Sequence, residues 1–237
     1  FRDASQWSQL LLRLALVSVY VYNFSVLPID DGSALATTLR DVVAFCNLGL
    51  AAFVTAAVAV RFVYPAVSLE GRAWWVLRAA PVPLATLWWS KFAIAFVPLV
   101  LLGEALVAVT NCFLGVTPWL TVVFMATLVF VIAAIVSLGL AFGAAYPRLD
   151  STNAAQISTG FGGVVYMLSC LGVIAAVIAL EAWPISRLFW HGVAAVPVGS
   201  VERVAIALAF AAVAAGTAGL WALGRRVALR HLADLQP

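Results

Sequence analysis

The chain has 237 residues, 65% of them hydrophobic and 10% charged, with a formal net charge of +3. Soluble domains are about half apolar and a quarter charged, so this composition excludes an ordinary water-soluble globule and makes lipid the expected solvent. Cys46, Cys112 and Cys170 stand singly in apolar runs, which excludes a disulfide framework or a zinc site with CxxC spacing.

The sequence begins at Phe1 rather than Met, with no basic region and small-residue cleavage site behind it, so a fragment of a longer chain is expected. A bilayer crossing needs about 20 apolar residues. The first such run is 10–27, where Arg13 lies near the start and can snorkel to the headgroups. Residues 42–60 form a second, free of charge. Segment 61–91, "RFVYPAVSLEGRAWWVLRAAPVPLATLWWSK", then interrupts the apolar pattern with Arg, Lys, Pro and Trp.

The run 92–116 is broken only by Glu104, and 119–145 is uncharged. Within the latter, Gly139 and Gly143 make a GxxxG pair expected to bring helices close. Asn153 and Gln156 fit N-cap and N3 roles ahead of the uncharged run 157–180. Residues 183–197, "WPISRLFWHGVAAVP", are too short to cross and read as interfacial or re-entrant. The run 204–224 is the last crossing.

The expected fold is therefore an all-α polytopic membrane protein. It has six transmembrane helices, a short cytoplasmic helix between helices 2 and 3, and a short re-entrant element between helices 5 and 6. Residues 1–237 form one transmembrane domain. Strand alternation is absent, which argues against a barrel. With the amino end inside, ten Lys/Arg lie on the inner side and three, Arg40, Arg187 and Arg203, on the outer side. The positive-inside rule then places both ends in the cytoplasm.

Catalytic patterns are missing. HExxH, GxSxG and the phosphate-loop pattern GxxxxGK[ST] do not occur, and "TGFGG" at 159–163 has no following Lys. The two histidines, His191 and His231, fall on opposite sides of the membrane in this topology. No catalytic residue and no metal site are expected. Glu104 is a functional candidate because a carboxylate inside the membrane is costly; the alternative is a packing role. Asn47 and Asn111 are interhelical hydrogen-bonders or contacts along a substrate path.

In segment 61–91, residues 66–79 can form a short helix. Glu70, Trp74 and Arg78 share one line and Leu69, Ala73 and Val76 lie roughly opposite, while Arg72 fits neither face. Trp88, Trp89 and Lys91 look like an interfacial anchor. Such a helix either docks a cytoplasmic partner or lies on lipid headgroups.

Three stretches carry a resemblance: "FRDASQWSQLLL" at 1–12, "RFVYPAVSLEGRAWWVLRAAP" at 61–81 and "AAYPRLDSTNAAQISTGFGGVVYML" at 144–168. The chain resembles the C-terminal half of bacterial permeases of the type-2 ATP-binding-cassette (ABC) exporter class, whose members are longer. The resemblance implies a transmembrane subunit in the bacterial inner membrane, without its own nucleotide-binding site. The chain would bind no cofactor; ATP and Mg would belong to a cytoplasmic ATPase subunit. It implies that Glu70, Gly71, Arg72 and Trp75, with Arg78 beside them, couple to that ATPase. A second permease half or a homodimer partner and membrane lipid are the other expected partners, with no nucleic acid. The rival readings are an ion-coupled secondary transporter using Glu104 and a non-transporting membrane assembly subunit.

Overall fold

The computed structural model describes residues 34–73, 81–148, 153–194 and 199–234. They form α1 (Ala34–Phe62), two 3-10 turns (Tyr64–Ala66 and Ser68–Ala73), α2 (Leu84–Leu114), α3 (Pro118–Ala145), the short α4 (Ala154–Ser158), α5 (Phe161–Ala194) and α6 (Ser200–Asp234). No strand occurs among the described residues. Five helices are long and apolar enough to cross a membrane: Leu39–Glu70, Leu84–Leu114, Pro118–Ala145, Phe161–His191 and Ser200–Ala233. The sixth expected crossing, 10–27, lies outside the described residues, as do 74–80 of the expected coupling helix.

The position of α3 follows from its sequence. "PWLTVVFMATLVFVIAAIVSLGLAFGAA" is apolar on every face, and such a helix is stable only when surrounded. It packs against α1, α2, α5 and α6 and forms the centre of the bundle. Phe124, Leu128, Ile132, Ile135 and Val136 on it are fully enclosed. The outer helices instead turn large apolar residues outward: Ile94 is 76% exposed and Val201 83%. Rows of this kind fit a lipid surface rather than water.

Chain punctuation sets the ends. Gly115 adopts φ +63 and closes α2, its N–H donating to the carbonyls of Asn111 and Cys112. Glycine tolerates this left-handed cap without Cβ strain. Pro118, just inside α3, needs no intrahelical donor there. Asn153 caps α4, its Oδ1 accepting from the N–H of Ala155 at 3.0 Å.

Three sequence expectations change. Residues 183–197 were expected to form a separate re-entrant element, but α5 runs unbroken through Pro184 to Ala194. In lipid a broken helix leaves backbone groups unsatisfied, whereas proline inside a membrane helix is tolerated when neighbours repack around it. The turn at Thr159 and Gly160 separates α4 from α5, so the run expected at 157–180 starts only at Phe161. Where an α-helix was expected from residue 66, the described chain makes 3-10 turns.

Candidate functional site

The end of the bundle formed by Phe62, Leu84, Ala145, Phe161 and Asp234 carries most of the basic residues. There the chain leaving α1 is held from three sides. Tyr64, buried, reaches α3: its hydroxyl donates to the carbonyl of Tyr146 at 3.5 Å. A Cβ on Gly143 would stand 2.4 Å from the Tyr64 carbonyl oxygen, so only a bare Cα permits this approach. A Cβ on Gly139 would meet the Tyr166 hydroxyl at 2.7 Å and Val63 at 3.0 Å. Tyr166 is fixed in turn by donating to the Ile135 carbonyl at 2.9 Å.

Ser68, fully buried, accepts from the backbone N–H of Arg148 at 3.1 Å, which ties the segment to the chain between α3 and α4. The third tie is ionic. Lys91 Nζ on α2 lies 2.5 Å from Glu70 Oε1 and donates to the Ala66 carbonyl at 2.9 Å. Their side chains are 13% and 23% exposed, so solvent screens the pair only in part. Glu70, read as a partner for Arg78 or for another protein, therefore spends one oxygen on α2. Gly71 and Arg72 lie within the second 3-10 turn; their side-chain surroundings, and Trp75 and Arg78 altogether, lie outside the described residues.

Trp88 departs from its expected role as an interfacial anchor. It is 1% exposed, enclosed by Trp89, Phe92 and Trp221, because α6 packs across the start of α2. Trp89, at 44% exposure, keeps an outward position.

Polar groups also meet within the crossing segments. Asn47 on α1 donates to Thr110 Oγ1 on α2 at 2.5 Å, and Thr110 passes its own proton to the Leu106 carbonyl at 2.7 Å. Asn111 donates to Thr121 Oγ1 on α3 at 3.3 Å. Both asparagines thus join helices in the half away from the basic end. Both carboxyl oxygens of Glu104 are buried without a hydrogen-bond partner among the described residues.

Glu181 was missed. It is fully buried on α5, where Oε1 accepts from Thr127 Oγ1 of α3 at 2.7 Å while Oε2 has no partner among the described residues. In the sequence it falls between the uncharged run 157–180 and the segment 183–197, outside every expected crossing. Carrying the helix through the proline would have placed it inside the membrane.

Two cavities accompany these groups. One, of about 560 Å³, lies between α1 and α2 and is lined by Val58, Phe62, Pro98 and Leu102 with Lys91 at its edge. The other, of about 330 Å³, lies between α3 and α6, and Thr127 is its polar member among apolar walls. At the opposite end of the bundle, His191 Nε2 of α5 stands 2.8 Å from Glu202 Oε2 of α6, with Arg187 3.8 Å from the other oxygen. No group of three or more metal-ligating side chains is found among the described residues.

A family model described as "Putative ATP-binding cassette" matches residues 1–236. The chain belongs to this family. No curated protein and no solved structure matches it. The family's description overturns one expectation, that of a subunit without its own nucleotide-binding site, since it attaches ATP binding to the family to which the whole chain belongs. The missing GxxxxGK[ST] pattern excluded one device for holding phosphates. Helix N-termini and arginines are others, and no loop motif reports them.

The glycine-rich turn before α5 does not fit a triphosphate. A Cβ on Gly160 would meet the Arg148 guanidinium at 2.7 Å, one on Gly162 the Tyr64 hydroxyl at 2.2 Å, and one on Gly163 the Ser158 carbonyl at 1.9 Å. The protein's own atoms fill the space a phosphate cradle leaves open. These glycines serve close packing.

Proposed function

We propose that the chain is the membrane-spanning, substrate-handling part of an ABC exporter in the bacterial cytoplasmic membrane. It alternates between inward-open and outward-open packings as the assembled system binds and hydrolyses ATP. Membership of an ABC family and five long apolar helices support this reading. The observation that carries it is the Glu70–Lys91 tie, which makes the segment after α1 mechanically continuous with α2. Movement imposed on Glu70 is then delivered to a crossing helix rather than lost in a loop.

Charge placement puts this end in the cytoplasm. Glu70, Gly71, Arg72, Trp75 and Arg78 there form the contact with the nucleotide-binding unit, and a second permease half or a second copy completes the pathway. Nucleotide drives the cycle only by binding one packing more tightly than the other. The walls of both cavities call for an apolar or amphiphilic cargo.

Charge reversal tests the coupling. Glu70→Lys and Lys91→Glu each break the tie and should lower ATP-driven export strongly, with membrane insertion unchanged. The double reversal restores the ion pair and should recover most of the flux. Single variants that transport normally would remove the mechanical role.

A second reading rests on Glu104 and Glu181, whose buried oxygens without a partner among the described residues mark them as functional candidates inside the membrane. In that reading the chain is an ion-coupled secondary transporter. Flux driven by a proton gradient without ATP selects it.

A further inference from the structure

We propose that Trp88 and Arg225 form a binding site for a phosphate-bearing anion at the basic end of the bundle. Arg225 of α6 packs beside two rings of α2, its guanidinium carbon 5.8 Å from the centroid of Trp88 and 5.6 Å from that of Trp89. Trp221 stands 6.0 Å from Trp88 and 5.8 Å from Trp89 and walls the cluster on the α6 side. Attraction to the ring quadrupoles uses the charge of a guanidinium without using up its N–H donors.

Among the described residues the buried donors of this cluster have no acceptor. Arg225 makes no hydrogen bond or ion pair among the described residues, and its Nε is buried. Trp88 Nε1, on a residue 1% exposed, is buried without a partner as well. An indole N–H can only donate, and a buried donor with no acceptor is costly. Two such donors in one cluster, one of them cationic, define the chemistry of what is missing. It accepts from both and carries negative charge.

The two helices that form the cluster supply no such group beside it. No Asp or Glu occurs between Glu202 and Asp234, nor on α2 before Glu104. Glu70 is turned to Lys91. Trp89 and Arg225 are accessible at the edge, so an anion can enter from the headgroup layer or from solution. A phosphate meets the requirement, as the headgroup phosphodiester of an anionic phospholipid or as free or nucleotide phosphate. This site stands whether or not the exporter reading holds, because it needs no transport.

The test uses the purified full-length chain, delipidated in detergent and titrated with phosphatidylglycerol, with bound lipid read by native mass spectrometry. Arg225→Gln should weaken retention about tenfold or more, and Trp88→Phe, which keeps the ring and removes the donor, several-fold, as expected for hydrogen bonds to a charged group. Arg225→Lys keeps the charge and should fall between wild type and Gln. Displacement of lipid by millimolar inorganic phosphate or ATP assigns the site to soluble phosphate; resistance to both assigns it to the headgroup. Wild-type retention by both Arg225→Gln and Trp88→Phe, with unchanged helix content, overturns the site.

Discussion

The basic end and the middle of the bundle hold their carboxylates differently. At the basic end Glu70 meets a full opposite charge on Lys91, with partial access to water. In the middle Glu181 is fully buried and, among the described residues, meets only the hydroxyl of Thr127. A charge pair at the edge can be opened, because solvent takes up both ions. A buried carboxyl has no substitute partner, so its single bond is held as long as the helices stay packed. The contrast matches the proposed cycle: a segment that moves, attached to a core that shifts as packed helices.

The sharpest way to break the comparison is to remove the close approach on which the basic end is built. Gly143→Ala sets a Cβ 2.4 Å from a backbone oxygen that no rotamer change can move. It should destabilise the protein by about 3 kcal/mol or more, the range of severe overpacking, read as a large fall in thermal unfolding temperature in detergent.

The second variant acts on the middle. Thr127→Val keeps the shape and deletes the donor to Glu181, and should cost about 1–3 kcal/mol because the carboxyl is left unsatisfied. Glu181→Gln in that background can turn its own amide to new acceptors and should recover part of the loss. A silent Thr127→Val would mean that Glu181 does not depend on α3.

The smallest effect is expected at Glu104. Its carboxyl makes no hydrogen bond among the described residues, so Glu104→Gln, which keeps the shape, should change stability by less than the roughly 1 kcal/mol of one hydrogen bond. Flux then separates the roles. Unchanged ATP-driven export leaves Glu104 out of the cycle, while a loss of transport with intact stability places it on the substrate path.

Much of this architecture was legible in the sequence because the bilayer imposes simple demands. Length and apolarity marked each described crossing, and the glycine pair at Gly139 and Gly143 fell where α3 passes close to its neighbours. Boundaries near polar residues were less legible. Pro184, Arg187 and His191 looked like the end of a membrane segment, yet α5 continues through them. Local composition cannot report that neighbouring helices support a proline. The same misjudged boundary hid Glu181.

Composition and spacing by themselves determined the solvent, the helical class and the bias of basic residues toward one end, since these depend on transfer free energies summed along the chain. Only the tertiary structure decided that α3 is central, that Lys91 meets Glu70 across 21 positions, that Thr127 meets Glu181, and that Trp88 is enclosed rather than set in the headgroups. Each is a pairing between distant residues. Its energy depends on which helix faces come together, and no local pattern carries that information.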